Sequence, residues 1–196
     1  MFEIEQFQDN CYFFKSSFWF LNSGLYLEEG AWAVIDPGFS PAELTQLKEF
    51  FKDKEASQQY LIYTHSDFDH ITGGSYFPEA QKVAHASFEH CSKDTQVEHL
   101  READEACEIE RAGFVFPSID LTFQDKLDLQ FPRGSISLIS APGHTRESLF
   151  VLVKDRGVLF CGDTLSDREF PLIMYNSDKY IETLKMAESL VDKYDL

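Results

Sequence analysis

Thr64-His65-Ser66-Asp67-Phe68-Asp69-His70 places four potential metal ligands within six residues, directly after the apolar run Gln59-Tyr60-Leu61-Ile62-Tyr63 and just before Gly73-Gly74. The preceding run reads as a buried strand. A helix would spread ligands at this spacing over different faces, whereas a loop leaving a strand end can turn them all inward. Imidazole nitrogens and carboxylate oxygens together suit zinc, iron or manganese. A single His here would read as part of a polar, solvated loop. The density of ligands behind an apolar strand favours a metal site.

The rest of the chain sets the bounds. Its 196 residues suffice for one domain with a sizeable core, and 43% apolar residues with 19 Phe point to a packed interior. The net charge of −17, from 34 acidic and 17 basic residues, repels phosphate backbones and argues against nucleic acid as a partner. Cys11, Cys91, Cys107 and Cys161 are scattered, with no CxxC pair, and read as reduced thiols of a cytoplasmic protein. Cys161 lies in the apolar run Val158-Leu159-Phe160-Cys161 and reads as a small core residue. The start, Met1-Phe2-Glu3-Ile4-Glu5, has no basic leader region. Phe18-Trp19-Phe20-Leu21 is too short to span a bilayer, so no membrane role is expected.

Read outward from the central loop, the pattern alternates between strands and a few helices. Cys11–Phe14, Phe18–Leu21, Leu25–Leu27 and Ala31–Ile35 are β-prone runs, the last ending at Asp36-Pro37-Gly38. Ser40-Pro41-Ala42-Glu43 carries a capping box and opens a helix with Leu44, Leu47, Phe50 and Phe51 on one face. Lys82–His85 reads as a strand. Residues 87–111 read as a charged helical insertion, with a weak stripe of Val97, Leu100 and Cys107, and it is placed either as a lid over the site or as a solvated face. Leu121–Phe123 and Leu127–Phe131 are expected to pair as a hairpin through Gln124-Asp125-Lys126, followed by a strand at Ile136–Ile139. Strands at Leu149–Val153 and Val158–Cys161 come next. A closing helix from about Ser177 has Ile181, Leu184, Leu190 and Val191 as its expected apolar face. No linker or repeat interrupts the chain, so residues 1–196 are expected to form a single domain.

Two further loops share the design of the first. Pro142-Gly143-His144-Thr145 follows a strand and ends it with a His, and Gly162-Asp163-Thr164 follows another and ends it with an Asp. Each is weak evidence alone, and the three in this order are specific. With them the chain resembles the metallo-beta-lactamase-fold metallohydrolases, whose signature is HxHxDH, then Pro-Gly-His-Thr, then Gly-Asp-Thr, then a last His. His65, Asp69, His70, His144 and Asp163 match it, Asp36-Pro37-Gly38 resembles the family's early turn, and the likeness spans nearly the whole chain. The resemblance implies an α/β, αββα four-layer sandwich with two divalent metal ions, zinc foremost and iron or manganese as alternatives. It implies that His65 and His144 hold one metal, that Asp69 and His70 hold the other, and that Asp163 bridges them. Asp69 takes the further role of orienting a hydroxide or shuttling a proton. Thr145 and Ser148 are possible supporting hydrogen-bond partners, and Arg146 a possible guide for anionic substrates.

Two departures from the pattern matter. The family's second His is Asp67 here, a harder ligand that shifts preference from zinc towards iron or manganese, unless it points away from the metal. No His follows Asp163, which reads as a chain lacking the C-terminal strand and helix of the family or as an open or differently filled position at the second metal. His85, His90 and His99 read as structural or surface residues. The expected activity is hydrolysis of a small ester, thioester, lactone or phosphoester by a metal-bound hydroxide. The alternatives are a flavodiiron-like diiron redox protein, suggested by Asp67, and a non-enzymatic scaffold, suggested by the missing His.

Overall fold

Alternation along Ala31-Trp32-Ala33-Val34-Ile35 sends Ala31, Ala33 and Ile35 into one buried cluster and Trp32 and Val34 into another. A strand buried on both faces must lie inside a layered structure. The computed structural model describes residues 4–19, 21–166 and 170–196, and in it that strand is the middle of a sheet. The sheet runs in chain order: β1 (Ile4–Gln8), β2 (Cys11–Lys15), β3 (Asn22–Glu28), β4 (Gly30–Ile35), β5 (Ala56–Ile62), β6 (Gln81–His85) and β7 (Leu121–Phe123). Pairing is antiparallel from β1 to β4 and parallel from β4 to β7. A second, antiparallel sheet is ordered β11-β10-β9-β8, from β8 (Lys126–Gln130), β9 (Ser135–Ser140), β10 (Leu149–Val153) and β11 (Val158–Phe160).

The two sheets face each other across Ala33, Ile35, Ile62 and Val83 on one side and Ile136, Leu138, Leu149 and Val151 on the other. Helix α1 (Pro41–Phe51) covers the outer face of the first sheet, where Phe51 stacks on Trp32 at 4.5 Å between ring centroids. Helix α3 (Ser177–Tyr194) covers the second, with Ala187 against Ala141 and Phe150. The order helix, sheet, sheet, helix is the expected αββα sandwich. A third helix, α2 (Lys93–Ala106), packs Leu100 and Ala103 against Leu21 and Phe39.

The capping box at Ser40 forms as expected: Ser40 Oγ accepts from Glu43 N, and the Glu43 carboxylate accepts from Ser40 N at 3.1 Å. Losing such a cap costs about 1 kcal/mol. The same carboxylate accepts from Ser16 Oγ at 2.9 Å and Ser17 N at 2.8 Å. Those bonds hold the turn that connects β2 to β3.

Several expectations are corrected. Phe18 and Trp19 lie in that turn rather than in a strand, and Phe20 falls outside the described residues. Their rings pack on Phe39, at 5.5 and 4.8 Å, in place of strand pairing. Leu121–Phe123 and Lys126–Gln130 do not form a hairpin. β7 pairs with β6 in the first sheet and β8 with β9 in the second, so Gln124-Asp125 carries the chain from one layer to the other. Ser140 N donates to Asp125 O at 2.9 Å on the far side of that crossing. A period of two marks a strand and not its partner. On α3 the buried stripe is Tyr180, Thr183 and Ala187, while Ile181 and Val191 are exposed. Tyr180 and Thr183 are buried because their hydroxyls donate to the carbonyls of Thr164 and Pro142, at 2.5 and 2.7 Å. The helix therefore grips the two loops that carry Asp163 and His144. The charged segment 87–111 divides into a 3-10 turn, Ala86–His90, and α2. Among the described residues, no helix is long and apolar enough to cross a membrane.

Candidate metal centre

β4 and β5 are parallel neighbours that end at the same edge, and the chain turns there at Asp36 and Thr64. Asp36 adopts φ +50°, a left-handed conformation that Asp tolerates better than most residues. Its carboxylate accepts from Thr64 N at 2.7 Å and from Thr64 Oγ1 at 2.6 Å. These bonds fix the first residue of the loop that carries His65, Asp67, Asp69 and His70. The second sheet supplies His144 before β10 and Asp163 after β11. Leu149 N donates to Thr64 O at 2.9 Å and joins the two sheets beside the site. Glycine is required on the Asp163 loop: Gly162 has φ +52°, and a Cβ there would sit 2.6 Å from Thr64 Oγ1.

The six expected side chains converge. Asp67 Oδ2 lies 3.5 Å from both His65 Nε2 and His144 Nε2. Asp163 Oδ2 is 3.9 Å from His65 Nε2 and 4.0 Å from His144 Nε2, and its Oδ1 is 3.2 Å from His70 Nε2. Asp69 Oδ2 is 3.6 Å from His70 Nε2. The carboxylate of Asp67 thus faces the imidazoles instead of pointing away.

The ring tautomers follow from the partners. Thr64 Oγ1 gives its one proton to Asp36, so towards His65 Nδ1, 3.0 Å away, it accepts. Leu172 O can only accept, and it lies 2.6 Å from His144 Nδ1. Asp36 Oδ2 lies 3.0 Å from His70 Nδ1. At His65 and His144 the acceptor draws a proton to Nδ1 and leaves Nε2 facing the site, whereas Asp36 lies near His70 Nδ1 without making a hydrogen bond to it. All three Nε2 atoms, and Nδ1 of His70, are buried without a hydrogen-bond partner among the described residues. Leaving a buried polar atom unsatisfied costs about 1–3 kcal/mol. Three inward-facing Nε2 atoms and three carboxylates form a ligand set whose chemistry fits divalent cations.

Within the donor set alone, charge and burial pull against each other. Burial opposes the charge on His70, but the carboxylates of Asp163, Asp69 and Asp36 outweigh it and hold its pKa well above the usual imidazole range. His144 is also raised: burial lowers it, and the facing carboxylate of Asp67 and the carbonyl of Leu172 more than compensate. Burial pushes Asp67 up, yet His144 and His65 bring it well below the usual carboxylate range, and His70 and His65 do the same for Asp163. Asp69 is the exception. Burial raises it, His70 opposes, and the neighbouring Asp163 keeps it raised.

Supporting residues come from places the sequence did not mark. Glu147, buried, accepts from Ser66 Oγ at 2.5 Å and ties the His65 loop to the His144 loop. A Glu inside Thr145-Arg146-Glu147-Ser148 carries no signal that separates it from a surface charge. Thr145 and Ser148 bond to each other, at 2.8 Å between hydroxyls, and so stiffen their own loop. His85 is structural, as expected: its ring lies 2.8 Å from Gln124 O and takes a bond from Ser87 N at 3.0 Å. Cys161 packs beside the Ala141 and Phe150 cluster, and burial pushes its thiol up to about 12.

A cavity of about 890 Å³ opens onto Asp69, His70, His144 and Asp163, with Trp19, Leu165, Phe170 and Leu172 among its apolar walls. Lys15 lines it, whereas the exposed Arg146 does not. Among the described residues, none of α2 lines it either, so of the lid and solvated face expected for this segment the lid is not seen, and α2 instead braces the ligand loop through Gln96.

A four-layer αββα sandwich with His and Asp side chains gathered at the shared sheet edge defines a class of metal-handling folds. The chain belongs to the metallo-beta-lactamase superfamily, whose sequence profile matches residues 17–194. Solved structures share the fold at low identity. A metallo-beta-lactamase from Pontibacter korlensis is 12% identical, with 100% of this chain and 87% of that chain covered and a TM-score of 0.69. The DIM-1 metallo-beta-lactamase is 16% identical, with 98% and 85% covered and a TM-score of 0.70. A metallo-beta-lactamase family protein from Thermus thermophilus is 17% identical, with 93% and 70% covered and a TM-score of 0.68. No curated protein matches the chain in sequence. The superfamily consists mostly of metallohydrolases and generally binds divalent metals, commonly zinc.

Proposed function

We propose that this protein is a metal-dependent hydrolase that binds two divalent ions and cleaves a small ester, thioester, lactone or phosphoester. The observation that carries this reading is the trio of buried Nε2 atoms of His65, His70 and His144, unpartnered among the described residues, facing three carboxylates. His65, Asp67 and His144 would hold one ion, Asp69 and His70 the other, and Asp163, within 4.0 Å of all three imidazoles, would span both. When bound, the ions supply Lewis acidity and lower the pKa of a coordinated water. Thr64 Oγ1 accepts at His65 Nδ1 and Leu172 O at His144 Nδ1, so these two Nε2 atoms stay aimed inward, and the Asp36 carboxylate lies 3.0 Å from His70 Nδ1. Asp69 is the carboxylate whose burial raises its pKa, and this suits it to orient the nucleophile and to take up its proton. Lys15 offers a positive charge to an anionic group on the substrate, and Trp19 and Leu165 offer apolar contact.

Elemental analysis of the untagged protein, purified without chelator, tests the reading first. About two metals per chain, together with turnover in a panel of esters and phosphoesters, are expected. A metal-free protein with no turnover after reconstitution refutes it. One observation supports a second reading. Asp67 Oδ2 sits between two imidazoles where the family pattern has a His, and a carboxylate there favours iron or manganese. Coloured, iron-loaded protein that is inactive on the hydrolysis panel and active in reduction assays would select a diiron redox role.

A further inference from the structure

Asp67 is held by a residue far from it in sequence. Gln96 Nε2 donates to Asp67 Oδ1 at 3.2 Å, and Gln96 Oε1 accepts from Phe68 N at 2.9 Å. The two bonds orient the amide unambiguously. The peptide N–H of Phe68 demands an acceptor, which fixes Oε1, and a carboxylate demands a donor, which is the Nε2 that remains. An amide side chain supplies both. Glu would keep the acceptor and lose the donor, and Lys would do the reverse. The bond occupies Oδ1, so Oδ2 is the oxygen left facing His65 and His144 at 3.5 Å. Without it the carboxylate is free to turn, because rotation about the bond to a planar carboxylate has only a broad, shallow preference.

Gln96 can act in this way because its helix, which also packs on Phe68 of the ligand loop, has anchors beyond that loop. It lies in the first turn of α2, where its own N–H donates to Ser92 O at 3.1 Å. Further along, Leu100 and Ala103 are buried against Phe39, and Arg111 pairs with Asp104 at 2.8 Å while donating to Phe39 O at 3.2 Å. The loop pattern departs from that of the family at Asp67, and a carboxylate there, unlike an imidazole, calls for a donor at its back. Gln96 provides it.

We propose that Gln96 is a positioning residue for Asp67, and that through it α2 sets metal affinity in the half of the centre formed by His65, Asp67 and His144. This rests on the two-metal reading of the site. The test uses the full chain as wild type, Gln96→Glu, Gln96→Ala and Asp67→Ala, with Zn(II) and Co(II) as probes. Chelator competition gives the affinity of each successive metal, the Co(II) absorption spectrum reports the ligand field, and thermal unfolding of the metal-free proteins confirms folding. Gln96→Glu and Gln96→Ala are each expected to weaken one metal by about 10–100-fold, in the direction of Asp67→Ala, and to shift its Co(II) spectrum while the other metal is retained. Gln96→Glu is decisive, because it still accepts from Phe68 N and would rescue a role limited to shaping the loop. Wild-type affinity and spectrum in Gln96→Glu, beside a weakened Asp67→Ala, overturn the proposal and leave the two-metal reading standing. A wild-type chain that binds fewer than two metals overturns the two-metal reading, and the role of Gln96 falls with it. If Gln96→Ala fails to fold, Gln96→Glu carries the result alone.

Discussion

His65 and His70 lean on the centre of the molecule, whereas His144 and Asp67 lean on its periphery. The first pair is set beside Asp36, 2% exposed at the end of β4, whose carboxylate lies 3.0 Å from His70 Nδ1 and reaches His65 through Thr64. His144 is backed by the carbonyl of Leu172, whose side chain is 60% exposed, and Asp67 by a half-buried Gln on a charged helix. The first pair is therefore backed from the end of a core strand. The second pair is backed by groups outside the two sheets. Core backing makes a ligand reliable, and peripheral backing makes it adjustable.

Substitutions can break or sharpen this contrast. Asp163→Ala is expected to have the largest effect, since its carboxylate faces imidazoles of both kinds. Both metals should be lost in elemental analysis, along with hydrolysis, beyond the 10–100-fold or so that a supporting residue is worth. Retention of one metal would show that the groups do not share Asp163. Asp36→Ala comes next. It strips Thr64 N and Oγ1 of their acceptor, so thermal unfolding should show a loss of about 1–3 kcal/mol, and the metals at His65 and His70 should weaken together. If only the His70 metal weakens, the relay through Thr64 carries nothing. Glu147→Ala removes the tie between the two ligand loops at Ser66 and should cost about 1–2 kcal/mol in chemical denaturation, with a smaller loss of metal affinity than Asp36→Ala. Leu172→Ala should have the smallest effect, within about 0.5 kcal/mol in thermal unfolding, because the group that serves His144 is a carbonyl that every residue has. A strong loss of metal there would mean that the exposed side chain, not the carbonyl, positions the imidazole.

The same contrast describes what could be read from the residues. The ligand loop was legible because its four donors lie in one segment behind an apolar strand, and the capping box at Ser40 because its partners are three residues apart. The layers were legible as alternating strands, but their pairing was not. β7 and β8 read as a hairpin because alternation is the same whether the next strand lies beside it or in another sheet. The apolar stripe of α3 misled because its buried face is chosen by hydroxyl bonds from Tyr180 and Thr183 rather than by aliphatic side chains. The supports of the centre were least visible. Gln96 acts on Asp67 from 29 residues away and Glu147 on Ser66 from 81, and both are ordinary polar residues in polar stretches.

The bond from Leu149 N to Thr64 O has a consequence of its own. Leu149 is 1% exposed, and its amide joins the second sheet to the loop strand of the first. Its proton can meet solvent only when the sheets part at that edge. Deuterium uptake at this one amide therefore times the parting of the two halves of the sandwich, and metal that bridges the sheets would slow it without touching Leu149.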